Sequence, residues 1–124
     1  MGYFIVFIGG GIGAALRHGV NQASIAWLGP SFPFGTLFVN LLGGLLMGVL
    51  AELVLVEGSG SEEWRLFLIT GVLGGFTTFS AFSLDAAAMW QRGDYLMCAA
   101  YAAGSVVLSI CALFAGMAAV RAAL

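Results

Sequence analysis

The end of this chain contains an apolar segment that is too long and too uniform for a water-soluble domain. From Tyr95 to Val120 the sequence has no charged residue, and three further apolar segments of similar length precede it. A helix crosses the bilayer core of about 30 Å with roughly 20 apolar residues, so each segment is long enough to span a membrane. The sequence therefore predicts four membrane-spanning helices.

The composition excludes most other classes of protein. Of the 124 residues, 61% are hydrophobic and 8% are charged, whereas charged residues make up about 25% of an ordinary soluble domain. The same values exclude intrinsic disorder. The four basic residues are all arginine and lie far apart, so they form no basic surface for a nucleic acid. We interpret the chain as an all-α integral membrane protein in which residues 1–124 form one transmembrane domain.

The apolar segments predict helices over about residues 3–27, 34–56, 64–90 and 95–120. No basic segment or obvious cleavage site precedes the first helix, which favours a retained helix over a signal peptide. The helices are joined by short polar or turn-forming connections, of which the second covers residues 57–61. Ser61 at its end is expected to cap the third helix, because Glu62 and Glu63 follow in the first turn.

The arginines give no preference for one orientation in the membrane. With four crossings, Arg65 and Arg121 lie on one side and Arg17 and Arg92 on the other. Cytoplasmic loops normally carry the excess of basic residues, so a balanced chain is expected to insert in both directions. Two oppositely inserted copies could pair as an antiparallel homodimer. The alternative is that a weak bias is resolved by other cues.

Glycines recur at a spacing of four in the first three segments. The first of them resemble the glycine turn of a dinucleotide-binding unit, but the first acid of the chain is Glu52, far beyond the position that holds a ribose. Small residues four apart instead allow transmembrane helices to approach closely. We therefore assign a packing role to the pairs Gly9 and Gly13, Gly44 and Gly48, and Gly71 and Gly75.

Polar side chains recur every four residues on two of the predicted helices. Thr36 and Asn40 share one face of the second helix, and Tyr101, Ser105 and Ser109 form a line on the fourth. Because an unpaired polar group is costly in hydrocarbon, these side chains should face protein or a wet path. Two alternatives remain: the amide could join helices, and the hydroxyls could bond back to their own helix.

The segment from Gly71 to Ser83 is poor material for a continuous helix. It combines paired glycines with Thr and Ser residues, so we predict a break in the middle of the third span. The freed carbonyls would suit a hard cation. Phe79 and Phe82 could present electropositive ring edges to an anion, although plain packing would also explain them.

The residues do not favour an enzyme or a zinc site. His18 is the only imidazole and has no neighbouring acid, and Cys98 and Cys111 are too far apart to form a disulfide or a zinc site with it. A proton-coupled multidrug antiporter would need an acid deep in the first helix, which has none. A pore without ion selectivity would explain the glycines but not the aligned hydroxyls.

Three motifs together resemble the small fluoride channels of the Fluc, or CrcB, family. They are G-G-x-x-G-A-x-x-R at residues 9–17, G-T-L-x-V-N at residues 35–40 and G-G-x-T-T-F-S-x-F at residues 74–82. The length, the four crossings and the balanced charges agree with this family over essentially the whole chain. Three positions depart from its usual pattern, which bears on conduction rate and dimer packing more than on the identity of the ion; they are His18, Phe76 and Ala81.

The resemblance implies an antiparallel homodimer with two pores that export fluoride from the cytoplasm of a prokaryote. Its location would be the plasma membrane, which is the inner membrane of a Gram-negative cell. Carbonyls of Gly74 and Thr77 from both subunits would hold a structural Na⁺, and Arg17 would lie near an aqueous vestibule. The implied fluoride pathway consists of Asn40 as pore amide, Phe79 and Phe82 as aromatic contacts, and Tyr101, Ser105 and Ser109 as a hydroxyl track. Thr36 is predicted to belong to the same pathway because it shares a helix face with Asn40.

Overall fold

The computed structural model describes residues 1–58 and 61–124, and all regular structure in these ranges is helical. Residues 59 and 60 of the predicted polar connection lie outside the described part. Along the chain the elements are α1 (Gly2–Leu28), α2 (Phe34–Glu57), α3 (Glu62–Arg65), a π-helical segment (Leu66–Leu73), α4 (Gly74–Phe76), α5 (Phe79–Gln91) and α6 (Tyr95–Ala123).

Four helices in the described ranges are long and apolar enough to cross a membrane, which confirms the prediction of four membrane-spanning helices. They are Gly2–Leu28, Phe34–Val54, Glu62–Gln91 and Tyr95–Ala123. The third span comprises α3, the π-helical segment, α4 and α5. Its start is fixed as predicted, because the Ser61 Oγ accepts a hydrogen bond from the Trp64 N–H at 3.3 Å.

The third span is broken near its middle, as the sequence predicted. Thr77 and Thr78 have extended backbone angles, with ψ of 158° and 122°, between the end of α4 and the start of α5. The Thr78 Oγ1 accepts a hydrogen bond from the Ala81 N–H at 3.0 Å and so caps α5. The π-helical half that precedes the break was not predicted.

The spaced glycines lie where helices touch backbone to backbone. The most extensive contact joins α2 to α6, and α1 packs mainly on the π-helical segment and α4. A Cβ placed on Gly44 would lie 2.8 Å from the Ser109 carbonyl oxygen, and one on Gly9 would lie 2.7 Å from that of Phe67. Such distances exclude larger side chains, which confirms the packing role predicted for these glycines.

An ion pair fastens the ends of α2 and α6. The Arg121 Nε donates to the Glu52 Oε1 at 2.7 Å, and its Nη2 donates to Oε2 at 3.3 Å. Glu52 is only 3% exposed, and a buried carboxylate needs such a partner to offset its desolvation. The pair therefore fixes how the two helices meet at this end of the bundle.

Replacing Gly13 with Ala should destabilise the contact between α1 and the third span. The new Cβ would overlap the Val72 carbonyl oxygen, and backbone cannot move aside as a side chain can. We expect a loss of about 1 to 3 kcal/mol, as for other overpacked interiors. Thermal unfolding of the purified protein in detergent measures it.

Gly11→Ala is the matched control on the same helix. A Cβ at Gly11 meets no atom within 4 Å, and alanine is the better helix former. This variant should unfold at or above the temperature of the unmodified protein. Equal effects of the two substitutions would contradict the proposed contact.

Candidate ion pathway

A groove of about 380 Å³ runs along the bundle between α2, α6 and the break in the third span. It brings together five of the seven residues of the predicted pathway, namely Asn40, Phe79, Phe82, Ser105 and Ser109. Thr77, which belongs to the predicted cation site, also lines the groove. Apolar side chains such as Met47 and Leu113 form much of the remaining wall. The groove thus joins scattered donors in an otherwise apolar surrounding.

Asn40 joins α2 to the break through a reciprocal pair of hydrogen bonds. Its Nδ2 donates to the Thr78 carbonyl at 3.0 Å, and its Oδ1 accepts from the Thr78 N–H at 2.8 Å. The side chain therefore supplies an acceptor for the Thr78 N–H, which has no helical partner at the break, and adds a donor to the Thr78 carbonyl. An amide has two N–H groups, and the Thr78 carbonyl takes only one of them. Asn40 thus links two spans and also lines the groove.

Ser105 and Ser109 bring unpartnered hydroxyls to the groove. Both Oγ atoms are buried, and neither has a hydrogen-bond partner within the ranges 1–58 and 61–124. The alternative that these serines bond back to their own helix is therefore not what the structure shows. Each hydroxyl can rotate to donate, and leaving a buried donor unpaired costs about 1 to 3 kcal/mol. A species that accepts these bonds would recover that cost.

Phe79 and Phe82 differ in what surrounds them. Their ring centroids are 5.4 Å apart at an interplanar angle of 49°. Phe82 belongs to a buried cluster with Met89 and Tyr101, whereas Phe79 is 74% exposed. Packing within the chain therefore covers all but 9% of Phe82, but it leaves Phe79 largely uncovered.

Two predicted pathway residues, Tyr101 and Thr36, do not line the groove. Tyr101 is 2% exposed, and its hydroxyl donates to the Asp85 Oδ2 at 3.1 Å. Thr36 instead lines a second cavity of about 290 Å³, together with Asn21, Ser24 and Asp85. The hydroxyl line predicted on the fourth helix is therefore divided, because two hydroxyls face the groove and the third faces Asp85.

Sequence reasoning gave no role to Asp85. It lies one turn after Phe82 and shares the wall of the second cavity with Thr36. The signal that could have identified it is its spacing of three residues from Phe82, which places both side chains on similar faces of α5. Its partner Tyr101 lies on another span, so sequence spacing could not show the hydrogen bond.

The break leaves carbonyl oxygens without their usual helical donors. The N–H groups of Thr78 and Ala81 would donate to Gly74 and Thr77 in a continuous helix, but they donate to the Asn40 and Thr78 side chains. The oxygens of Gly74 and Thr77, the predicted Na⁺ ligands, are therefore released from helical bonding. Such oxygens are the ligands that a hard cation prefers, so the residues present fit the ion.

Arg17 is tied to the same break. Its Nε donates to the Gly75 carbonyl at 3.1 Å across the contact between α1 and α4. The guanidinium therefore supplies a donor to one carbonyl that the break leaves without its helical partner. The vestibule assignment of Arg17 stays a prediction.

Comparison with known proteins agrees with the motifs. Residues 4–117 match the family described as CrcB-like protein, Camphor Resistance (CrcB). Over 121 residues the chain is 52% identical to fluoride-specific ion channel FluC 2 of Nitrobacter hamburgensis, covering 98% of both chains. It is also 52% identical over 122 residues to fluoride-specific ion channel FluC of Rhodopseudomonas palustris strain BisB5, with the same coverage. Identity to the fluoride-specific ion channel FluC of Granulibacter bethesdensis is 49% over 121 residues, which is 98% of this chain and 95% of the relative.

Proposed function

The chain belongs to the CrcB family, and from that membership we propose that it is a fluoride channel of the plasma membrane, an ion channel rather than an enzyme. The observation that carries this proposal is the pair of buried, unpartnered hydroxyls of Ser105 and Ser109 beside the Asn40 amide. They supply donors, without fixed charge, at membrane depth.

The chemistry of the groove suits a small and strongly hydrated anion. Such an ion enters only if protein donors replace its water, and it leaves only if no site holds it too tightly. Hydroxyl and amide donors meet both conditions, since a fixed positive charge would trap the ion. The exposed ring of Phe79 adds an electropositive edge to the same groove.

The working unit in our proposal is an antiparallel homodimer with two pores. Thr70, Ser80 and Ser83 lie exposed near the middle of the third span, where a single copy would turn them towards acyl chains. A second copy on this face would cover them and the Phe79 ring. The even division of arginines supports opposite insertion of the two copies. Each copy would contribute one groove, through which fluoride leaves the cytoplasm down its gradient.

A structural Na⁺ at the centre of this dimer is part of the same proposal. The carbonyl oxygens of Gly74 and Thr77 would hold it, one set from each copy. The support is that the Thr78 and Ala81 N–H groups donate elsewhere. When bound, the ion would offset the partial negative charge of these oxygens in both copies.

Liposomes loaded with fluoride and containing the purified protein should release it rapidly once valinomycin allows K⁺ to balance the charge. The same vesicles loaded with chloride should release almost none, because the larger anion cannot replace its water in the groove. A fluoride or chloride electrode measures each efflux, and protein-free liposomes are the control. Equal release of both anions would indicate an unselective pore, and flux that follows a proton gradient would indicate an antiporter.

A further inference from the structure

We propose that Phe32, in the connection between the first two spans, is a positioning residue of the ion pathway and fixes the ring of Tyr101 against that of Phe82. This inference rests on the proposed function. Phe32 lies outside the three sequence motifs, and no role follows for it from helical periodicity. Its importance comes from a row of four aromatic rings that only the folded chain assembles.

The connection that carries Phe32 is stiff. Pro30 and Pro33 flank the residue, and Pro33 has φ −80° and ψ 64°, which are the angles of an inverse γ-turn. The Phe34 N–H donates across this turn to the Phe32 carbonyl at 2.8 Å. Because proline also restricts the residue before it, the backbone of Phe32 has little freedom. The side chain is therefore presented from a fixed base.

From the Phe32 ring a continuous row of rings reaches the break, and the Phe34 ring also packs on Phe32, with centroids 4.8 Å apart. The Phe32 ring stands nearly perpendicular to the Tyr101 ring, with centroids 5.5 Å apart and an interplanar angle of 86°. The Tyr101 and Phe82 centroids are 5.2 Å apart, and those of Phe82 and Phe79 are 5.4 Å apart. These distances lie in the range in which aromatic pairs attract each other beyond simple burial.

Tyr101 is held at three points by this arrangement. Phe32 and Phe82 both pack on its ring, and the hydroxyl donates to Asp85. Met89 and Phe82 complete the buried cluster. Phe32 and Leu37 pack on this cluster from outside the third and fourth spans. Of the two, only Phe32 contributes a ring, and it does so from the side of the connection.

The row of rings also separates the two cavities. Phe82 lines the groove, Phe32 lines the second cavity, and the buried Tyr101 stands between them. Removing the Phe32 ring would leave space on the second-cavity side of Tyr101. Tyr101 could then move away from Phe82, and the ring edge that Phe82 offers to the anion would lose its fixed position. Phe32 thus acts on the pathway through Tyr101 without touching the groove.

Phe32→Leu is the main test, because it keeps apolar bulk and removes the ring. Since one aromatic pair contributes up to about tenfold in an equilibrium, we expect fluoride efflux per channel to fall by about tenfold. Phe32→Tyr keeps the ring, so its efflux should stay near the level of the unmodified protein. Phe114→Ala on α6 removes a ring that is 64% exposed and should leave efflux unchanged.

A second readout follows Tyr101 directly. The chain has 3 tyrosines, so labelled tyrosine gives few ring signals, and Tyr101→Phe assigns the one of interest. The Tyr101 signals should shift in Phe32→Leu and stay unchanged in Phe114→Ala. Three results would each overturn the inference while leaving the channel function intact. They are normal efflux from Phe32→Leu, unmoved Tyr101 signals in that variant, and efflux from Phe32→Tyr that is as low as that from Phe32→Leu. An inactive unmodified protein would instead overturn the proposed function, and the transport role of Phe32 with it.

Discussion

Asn40→Asp should abolish fluoride efflux. The substitution replaces the N–H group that donates to the Thr78 carbonyl at 3.0 Å with an oxygen that repels it. It also places a negative charge in the groove that we propose as the path of the anion. Two like charges about 4 Å apart repel by about 4 kcal/mol at an effective dielectric constant of 20, which corresponds to a fall on the order of a thousandfold. Efflux from liposomes with valinomycin measures it.

Two further variants separate the effect of charge from that of the lost link. Asn40→Ala removes the hydrogen bonds to Thr78 without adding charge, so its efflux should lie between those of Asn40→Asp and the unmodified protein. Gln91→Glu makes the same amide-to-acid change at the exposed end of α5 and should be without effect. Size-exclusion chromatography checks that each variant remains assembled. Retained fluoride efflux in assembled Asn40→Asp would remove Asn40 from the pathway.

The four spans could be predicted from the sequence because the bilayer leaves so few alternatives. A segment without charge, such as the one from Tyr95 to Val120, can lie only in lipid or in a large protein core, and a chain of this length has no such core. Local signals also sufficed for Ser61, whose capping bond depends only on the residues that follow it. These features need no information about distant contacts.

The break could be located only to within a segment. Glycine and hydroxyl content marked residues 71–83 as a weak helix, but the extended residues are Thr77 and Thr78. What selects them is Asn40, 38 positions earlier, which pairs with both backbone groups of Thr78. The π-helical segment before the break likewise gave no sequence signal, since its hydrogen-bond pattern has no distinctive composition.

Helical spacing predicted the site only in part because four residues exceed one turn. Each step of four rotates a side chain by about 40°, so the face drifts around the helix by about 80° between Tyr101 and Ser109. Ser105 and Ser109 therefore reach the groove while Tyr101 turns to Asp85. The same drift separates Thr36 from Asn40. Partners on different spans, such as Asp85 for Tyr101 and Glu52 for Arg121, had no sequence signal.

The cross-span hydrogen bonds of Tyr101 and Asn40 bear on how the groove keeps its width. Asn40 fixes the break to α2, and Asp85 fixes α5 to α6 through the Tyr101 hydroxyl. The Glu52–Arg121 pair holds α2 to α6 at the other end. Each wall of the groove is thus tied to another wall, which keeps donors in place without water, as selection of a small anion requires.

Adding positive charge at one end of the bundle should eliminate activity in a chain expressed alone. Ala122→Lys with Ala123→Lys adds two basic residues next to Arg121, at exposed positions. The balance of arginines that allows both orientations is then lost, and all copies should insert in the same direction. Without an oppositely inserted partner the antiparallel dimer cannot form, so fluoride efflux from purified protein should fall nearly to the level of empty liposomes.

The chain with Ala122→Lys and Ala123→Lys is locked in one orientation, and a second chain locked in the opposite orientation tests whether orientation alone causes the loss of activity. Gln91→Lys with Asp94→Lys biases the opposite end, and the loss of the exposed pair between Arg92 and Asp94 should cost little stability. This chain should also be inactive alone, whereas the two locked chains expressed together can pair head to tail and should recover most of the efflux. Recovery cannot follow from repaired folding, because neither chain corrects the substitutions of the other. Full activity of either locked chain by itself would refute the antiparallel dimer, because all its copies share one orientation.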